Sequence, residues 1–295
     1  MKVLCMGKSC IEEILYFDGF PKEGINCNSK GMIISPGGFG VISSLLLSKW
    51  GVNTYLNSAI GNDINGDIII NTLKENNVNI ENVFRDNETT VSHILVNKYN
   101  YSKTVISDSV VNSNKKFDIE DVGIILMDAS YYEVCQKICS KFNKVIKVVY
   151  VREVSNDTIK MCKLSDYIIC SKSFAEVASK KRIDYNDPDS LKEVVNLLEE
   201  MYNSKVVITL GSKGCLYKIE DKIKVMGSIK VNSIDTCGVG EIFSAAFTYG
   251  LSEYLELEKC LKIATIASGL STKVSGSVTS IPDVREVHKI YAKNK

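Results

Sequence analysis

The chain has 295 residues, of which 45% are apolar and 24% are charged, and this composition is typical of globular proteins. At roughly 150 residues per domain, the length allows one large domain or two small ones. Lys and Arg number 36 against 35 Asp and Glu, so no overall basic field favours nucleic acid as the main partner. No segment approaches the roughly 20 consecutive apolar residues that a membrane span requires, so we expect no membrane partner.

The ten cysteines do not follow the spacing of a metal site, because the sequence has no Cys-X-X-Cys pair and only two histidines. We interpret the cysteines, including Cys135 and Cys139 at helical spacing, as small buried apolar residues. The first residues lack the long apolar stretch of a signal peptide. Reduced thiols without an export signal predict a cytoplasmic protein.

Short β-branched runs alternate with longer helical segments along most of the chain. Strands are predicted at 3–7, 53–59, 124–127, 145–151, 167–170 and 206–210, with a hairpin at 215–219 and 223–226. Helices are predicted at 38–50, 63–77, 131–142, 156–163, 190–202, 240–254, 257–273 and 284–293. This alternation predicts an α/β fold whose mostly parallel sheet is covered on both faces.

Three early segments do not follow this alternation. Residues 11–16, 28–34 and 91–107 alternate or mix polarity, and they predict a small separate sheet, a lid drawn from about 11–35 and 91–107. An apolar face on such a sheet either covers the main body or forms a homodimer. The contact candidates for a dimer are Ile11, Ile14, Leu15, Ile33 and Ile34. No linker or internal repeat divides the chain, which predicts one domain over 1–295.

Four glycine-bearing segments precede helices or end strands. The strongest is Asp-Thr-Cys-Gly-Val-Gly-Glu at 235–241, because free amides and glycines at a helix start favour an anion, here beside the Glu241 carboxylate. The others are Pro-Gly-Gly-Phe-Gly at 36–40, Thr-Leu-Gly-Ser-Lys-Gly at 209–214 and Gly-Asn-Asp-Ile-Asn-Gly at 61–66. Each alone is also explained by a simple turn, or at 61–66 by helix capping.

Together and in this order, the four segments resemble the ribokinase-like (PfkB) carbohydrate kinase family over nearly the whole chain. Residues 61–66 correspond to the family's GxDxxG stretch, 209–214 to its TLGxxG strand end, and 235–241 to its DTxGAGD stretch. Residues 276–282 are similar to its C-terminal stretch. The resemblance implies a ribokinase-like α/β/α fold of three layers, with a mostly parallel central sheet and a small β-sheet lid.

The resemblance also implies that the γ-phosphoryl of ATP passes to a hydroxyl of a small sugar or sugar-like acceptor. Glu241 stands where the family has its general base, and the 237–240 backbone stands where it has an anion hole. Such a hole fits phosphoryl transfer, which depends on positioning and electrostatic stabilisation.

The resemblance assigns the remaining site residues to three groups. The first group supplies the backbone amides of the anion hole and comprises Cys237, Gly238, Val239 and Gly240. The nucleotide side comprises Thr209, Gly211, Ser212, Gly214 and Cys237. The acceptor side comprises Glu12, Gly37, Gly38, Ile42 and Asp235, of which Asp235 also orders the loop or lies near a monovalent cation. Mg²⁺ is expected to bridge the phosphates, and no residue is assigned to the metal.

Several positions depart from the family pattern. Glu241 replaces the usual Asp, which moves the carboxylate outward by one methylene, and a displacement of about 1 Å can cost roughly 10²-fold in rate. Glu12 also replaces an Asp. Ile42 replaces an Asn that holds acceptor hydroxyls, and an apolar side chain cannot form those hydrogen bonds. The family's NxxE stretch, which helps to organise Mg²⁺, corresponds to 171–174 and matches neither key side chain, although Glu176 is near.

Three hypotheses therefore stay open. The first is a sugar kinase with a changed acceptor, which is favoured because the glycines and a carboxylate at the base position are retained. The second is a catalytically weak or inactive homologue that binds sugar or nucleotide as a sensor. The third is a nucleoside kinase of the same fold.

Overall fold

The computed structural model describes residues 1–86, 88–108, 119–142 and 144–293. In chain order, the strands are β1 (Val3–Met6), β2 (Cys10–Phe17), β3 (Met32–Gly37), β4 (Thr54–Ile60), β5 (Val83–Arg85), β6 (Val91–Asn97), β7 (Lys103–Ser107), β8 (Ile124–Met127), β9 (Ile146–Val151), β10 (Tyr167–Ser171), β11 (Lys205–Thr209), β12 (Cys215–Ile219) and β13 (Lys222–Met226). The helices are α1 (Gly38–Lys49), α2 (Ile64–Glu75), α3 (Tyr132–Lys141), α4 (Asn156–Lys163), α5 (Lys172–Ser179), α6 (Pro188–Tyr202), α7 (Val239–Ser252), α8 (Leu257–Ser271) and α9 (Val284–Lys293).

The larger sheet has nine strands in the order β13-β12-β11-β10-β9-β8-β1-β4-β5. Neighbours from β11 to β5 pair in parallel, whereas β12 pairs antiparallel with both β11 and β13. Strands β1 and β8 are buried along their whole length, because helices cover both faces of the sheet. This burial explains why such strands appear in the sequence as uninterrupted apolar runs.

Two apolar cores lie on opposite faces of this sheet. One core joins α1, α2, α7, α8 and α9 through side chains that include Leu46, Leu73, Phe247, Ile266 and Val287. The other joins α3, α4, α5 and α6 through Cys135, Met161, Phe174 and Val194. The three α/β/α layers and the mostly parallel central sheet that the sequence predicts are confirmed.

The second sheet is small and separate, and it confirms the predicted lid. Its order is β3-β2-β6-β7, so its strands come from the two predicted parts of the chain. Ile14, Ile94 and Val96 on its inner face form a third apolar cluster with Cys237, which precedes α7. The lid therefore packs over the loop that begins α7.

The structure differs from the predicted elements at three places. The strand predicted at 28–34 is β3 at Met32–Gly37, because Gly37 pairs with Cys10 of β2 and the strand passes directly into α1. Strand β5 and helix α5 were not predicted. Helix α5 has only eight residues, which is too short for a clear apolar period. It begins because the Ser171 hydroxyl accepts a hydrogen bond from the Phe174 N–H at 3.0 Å.

The cysteines are all free thiols, and Cys27 is the one that is exposed. The interpretation as buried apolar residues is therefore confirmed for the other nine. Burial raises the pKa of Cys10 and of Cys215 to about 12. Within the described residues, no helix combines the length and the apolar character needed to cross a bilayer.

The segment 61–66 holds helix α2 in place through Asp63. Its Oδ1 accepts hydrogen bonds from the Gly66 N–H at 2.7 Å and the Thr89 hydroxyl at 2.6 Å, and Oδ2 accepts one from the Thr89 N–H at 2.7 Å. Burial opposes ionisation, but these hydrogen bonds outweigh it and lower the pKa of Asp63. The capping interpretation of this segment is confirmed.

We expect Asp63→Ala to lower the free energy of unfolding by about 1–3 kcal/mol, because it removes the cap of α2 and two bonds to Thr89. Urea denaturation at pH 7 measures this loss. The exposed neighbour provides the control, since Asn62→Ala should change stability by no more than about 0.5 kcal/mol. Equal losses in the two variants would contradict a capping role.

Candidate active site

Helices α1 and α7 begin beside one another, and Glu12 lies between their first residues. The Glu12 side chain accepts a hydrogen bond from the Gly38 N–H at 3.0 Å and another from the Ser277 hydroxyl. Ser277 in turn lies against Gly238, where an added Cβ would be 3.0 Å from the Ser277 Cβ. One buried carboxylate thus joins the lid, the start of α1 and the segment packed on α7.

The start of α1 requires glycine at position 38. Gly38 has a φ of 83°, and a Cβ there would lie 2.6 Å from the carbonyl oxygen of Lys8. Gly37 is buried and extended, and its α-carbon faces the Glu12 carboxyl group. The predicted acceptor-side residues Glu12, Gly37 and Gly38 are therefore in contact with one another.

Asp235 organises the loop that leads into α7. Its Oδ2 accepts hydrogen bonds from the Tyr16 hydroxyl at 2.6 Å and the Gly276 N–H at 2.8 Å, and its Oδ1 accepts one from the Cys237 N–H at 2.8 Å. Burial opposes the charge, but these three donors prevail and lower the pKa of Asp235. A buried, ionised carboxylate thus holds the loop from the lid, the C-terminal segment and the loop itself.

The amides at the start of α7 face a cavity. Gly238, with a φ of 73°, caps the helix, and Val239, Gly240 and Glu241 form its first turn. First-turn amides have no acceptor inside a helix and carry partial positive charge. The Cys237 amide differs, because it already donates to Asp235. Gly240 packs so closely on the Tyr150 hydroxyl that a side chain there would collide with it.

This smaller cavity has a volume of about 270 Å³. It brings together Glu241, Val239 and Gly240 from α7 with Thr209, Gly211 and Gly214 from the end of β11. These two segments are about 30 residues apart in the sequence. They meet because β11 ends at the edge of the sheet where α7 begins, as parallel α/β sheets arrange their ligand sites.

A larger cavity of about 740 Å³ adjoins the first, since both are lined by Gly211, Ser228, Val239 and Ser268. Ser212 and Thr236 also line the larger cavity, together with the apolar side chains of Ile229 and Val231. Gly214 has a φ of 93°, and a Cβ there would collide with the carbonyl oxygen of Met226. The 209–214 turn therefore needs glycine in order to form this wall.

Ile42 lies apart from these cavity walls. Its side chain is 1% exposed and packs in the core on the α1 side of the sheet. Phe39, in the first turn of the same helix, stacks on Tyr150 with 5.9 Å between ring centroids. The side chains of Phe39 and Ile42 in α1 therefore make apolar contacts with the protein interior.

Several residues near the site were missed by the sequence analysis. Lys103 and Arg152 line the smaller cavity with Glu241. Lys8 connects β1 to the lid, since its Nζ donates to the hydroxyls of Ser92 at 2.9 Å and Ser107 at 2.8 Å. Lys8 and Arg152 come within two residues of the ends of parallel strands. Lys8 and Arg152 could therefore have been identified from the sequence by their position at the carboxyl ends of predicted parallel strands.

The stretch 171–176 contributes no carboxylate to the cavity walls described here. Ser171 lines the cavity, but Phe174 is 1% exposed within the core. Glu176 turns towards its own loop, where its Oε1 accepts a hydrogen bond from the Ile183 N–H at 2.8 Å. No group of three or more His, Cys, Asp or Glu that could hold a metal occurs in the described part of the chain. Mg²⁺ usually binds through one or two carboxylates together with substrate phosphates and water, and here Glu241 is the one carboxylate among the residues that line the cavity.

The pKa of the buried Glu12 carboxyl group is shifted in the opposite direction to that of Asp235. Burial raises the pKa of Glu12 above its ordinary value of 4.5, the Ser277 and Gly38 donors oppose the rise, and the nearby Glu241 charge adds to it. Folded protein therefore binds a proton at Glu12 more tightly than unfolded protein does. This contribution to stability is present at low pH and is lost as the pH rises through the folded pKa.

We expect Glu12→Gln to lose less stability than the wild type as the pH rises above 4.5, because the pKa of Glu12 is raised from that value and glutamine cannot ionise. Urea denaturation midpoints at several pH values measure this difference. Glu23→Gln, at an exposed position, should keep the wild-type pH dependence. A Glu12→Gln curve parallel to that of the wild type would show that the carboxyl group does not gain a proton on folding.

The sequence is similar to those of known proteins over almost its whole length. The sequence profile of the pfkB family of carbohydrate kinases matches residues 1–284. A ribokinase of Lactococcus lactis is 25% identical over 303 aligned residues, which cover 97% of this chain and 95% of that protein.

Solved structures share the fold. Ribokinase of Arabidopsis thaliana, complexed with ribose and ATP, has a TM-score of 0.81 at 20% identity and covers 98% of this chain and 97% of its own. A nucleoside kinase of Methanocaldococcus jannaschii has a TM-score of 0.79 at 20% identity and covers 99% and 98% of the two chains. Since the family profile spans nearly all of the sequence, this chain belongs to the pfkB family of carbohydrate kinases.

Proposed function

We propose that the protein transfers the γ-phosphoryl group of ATP to a hydroxyl of a small sugar or sugar-like acceptor. The observation that carries the proposal is the smaller cavity, where the first turn of α7 and its Glu241 meet the end of β11. The adjoining larger cavity, of about 740 Å³, falls in the size range of cofactor sites, roughly 300–1,000 Å³. The nucleotide occupies the larger cavity, and its terminal phosphate reaches the smaller one.

Glu241 is the general base in this proposal. It accepts the proton of the acceptor hydroxyl, whose oxygen forms a bond to the γ-phosphorus. The bond from that phosphorus to the β,γ-bridging oxygen breaks, which leaves ADP and the phosphorylated acceptor. The amides of Gly238, Val239 and Gly240 stabilise the charge on the moving phosphoryl group. The Cys237 amide instead keeps the loop in shape through Asp235.

Thr209, Gly211, Ser212 and Gly214 contact the nucleotide in this proposal, since each of them lines the larger or the smaller cavity beside Val239. The acceptor lies on the other side of Glu241, towards Glu12, Gly37 and Gly38. The proposal places Ile42 behind the acceptor, buried in the core on the α1 side of the sheet. The Arabidopsis ribokinase structure contains both ribose and ATP, which supports an arrangement with two substrates.

Two ions belong to the proposal. Mg²⁺ would enter on the nucleotide, with Glu241 as the one carboxylate among the described residues that line the cavity, and would supply positive charge for the transfer. A monovalent cation lies near Asp235, whose lowered pKa keeps the carboxylate charged. We also propose a cytoplasmic location, because free cysteines suit a reducing compartment.

A sensor is the second candidate function. It is favoured by two observations, the longer side chain at Glu241 and the burial of Phe174 where the resemblance places a metal-organising carboxylate. A nucleoside kinase of the same fold remains the third candidate, and the archaeal nucleoside kinase shares this architecture. The acceptor panel below separates these possibilities.

We expect Glu241→Gln to lower kcat by about 10²–10⁴-fold and to leave ADP affinity nearly unchanged, because it removes the base and retains the side-chain volume. ADP release with ribose, fructose, adenosine and inosine measures turnover, and thermal shifts identify the acceptors that bind. Glu253→Gln is the matched control, since Glu253 is exposed at the far end of α7. Wild-type turnover in Glu241→Gln would contradict the proposal, and tight binding without turnover for every acceptor would favour the sensor.

The outer face of the lid supports a homodimer proposal. Paired positions across its four strands place Ile34, Glu13, His93 and Ile106 in one row. Ile34 is 56% and Ile106 55% exposed, and the His93 Nδ1 and Glu13 Oε2 atoms between them lie 2.8 Å apart. Of the candidates from the sequence, Ile11 and Ile14 are buried within the protomer, Leu15 and Ile33 are half-buried, and Ile34 is the most exposed.

We expect Ile34→Asp to convert a dimer into a monomer, because a charge at this position would be desolvated in an apolar contact. Sedimentation velocity at micromolar concentration measures the change. Val177→Asp places the same charge at a 60% exposed position on α5 and should leave the dimer intact. A wild-type protein that is monomeric under these conditions would contradict the dimer.

A further inference from the structure

The smaller cavity has an unusual balance of charge. Among the residues that the structure describes, its walls include two cationic side chains, Lys103 and Arg152, and a single carboxylate, Glu241. Each comes from a different element: Lys103 begins β7 of the lid, Arg152 follows β9 of the large sheet, and Glu241 lies in the first turn of α7. The cations therefore approach the cavity from the lid and from the main body.

Arg152 is exposed, and its guanidinium forms no hydrogen bond or ion pair with the described part of the chain. Among the described residues, no carboxylate lies within 4.0 Å of it, and only its backbone carbonyl is used, as an acceptor for the Ser171 hydroxyl at 2.9 Å. Desolvation opposes the charge on Arg152, but nearby negative groups, Glu241 foremost and Glu153 among the others, together outweigh it and raise the pKa of Arg152. The guanidinium thus lies within electrostatic reach of the proposed base and is free to bind an anion.

Lys103 lines the same cavity and belongs to the lid. Its Nζ donates to the carbonyl oxygen of Thr236 at 3.0 Å, and within the described part of the chain it forms no ion pair. Thr236 directly precedes the loop that presents the α7 amides. The lid therefore delivers a positive charge to the place where the proposed phosphoryl transfer occurs.

A polyphosphate in this cavity requires positive charge, and the walls offer little to a protein-held metal. One carboxylate does not form a metal cage, and that carboxylate is the proposed base. Arginine binds phosphate with two parallel N–H donors in a fixed geometry, whereas lysine acts as a point charge. We propose that Arg152 binds the terminal phosphate of the nucleotide directly and that Lys103 neutralises it from the lid.

This inference rests on the proposed function for the identity of the nucleotide but makes a separate prediction about binding. Much of the countercharge comes from the protein, so inorganic tripolyphosphate should bind in the presence of EDTA. Arg152→Ala should weaken that binding by about 10–100-fold, which corresponds to the loss of charge-assisted hydrogen bonds. Adenosine, which lacks phosphate, should bind the variant and the wild type equally well.

Isothermal titration calorimetry with tripolyphosphate and with adenosine measures both effects. Arg152→Lys should retain part of the affinity, and Lys103→Met, which keeps the length of the side chain, should weaken tripolyphosphate binding by a smaller factor. Arg182→Ala is the matched control, because Arg182 is exposed beside a different groove that contains Lys172, Lys180 and Lys181. Thermal melts establish that each variant is folded.

Any of four results would overturn the inference. The wild type could fail to bind tripolyphosphate without metal, Arg152→Ala could bind it with unchanged affinity, or Arg182→Ala could lose as much tripolyphosphate affinity as Arg152→Ala. The fourth is an equal loss of adenosine affinity in Arg152→Ala, which would show a general structural effect. The two proposals can fail separately. If no acceptor is phosphorylated and Arg152→Ala still weakens tripolyphosphate binding alone, the phosphate site stands and the kinase proposal fails.

Discussion

The site depends on the buried carboxylate of Asp235. It accepts hydrogen bonds from the lid, from the loop before α7 and from the C-terminal segment at Gly276. A buried charge is tolerated only when it is well solvated by donors, and one of the three donors, Tyr16, lies more than 200 residues along the chain from the other two. The position of the α7 amides therefore depends on contacts that exist only after the lid has packed on the main body.

Glu12 illustrates the opposite electrostatic outcome at the same site. It is 7% exposed and Asp235 is 2% exposed, yet the pKa of Glu12 is raised and that of Asp235 is lowered. Asp235 has three donors, whereas Glu12 has two and also faces the charge of Glu241. Burial therefore dominates at Glu12, with a smaller contribution from the Glu241 charge, whereas hydrogen bonds to the ionised form outweigh burial at Asp235. Beside these carboxylates, Arg152 and Lys103 supply the positive charge that a phosphate ligand needs.

Much of the fold could be predicted from the pattern of the sequence. Buried parallel strands such as β8 and β9 produce continuous apolar runs, and the helices between them are long enough to show a period. Helix α5 and strand β5 could not be predicted, because eight and three residues carry too few apolar positions. The end of β3 was also hidden, because whether Gly37 belongs to a turn or to a strand depends on its pairing with Cys10 in the lid.

The sequence by itself determined the order of elements, the glycine segments at 36–40, 209–214 and 235–241, and the family that they resemble. These features are local, since glycine at a positive φ and apolar periodicity depend on neighbouring residues. Only the tertiary structure decided that Lys103 and Arg152 share a cavity with Glu241, that the Cys237 amide is already paired, and that Phe174 lies in the core. Each of these outcomes depends on distances between segments remote in the chain, which folding alone brings together.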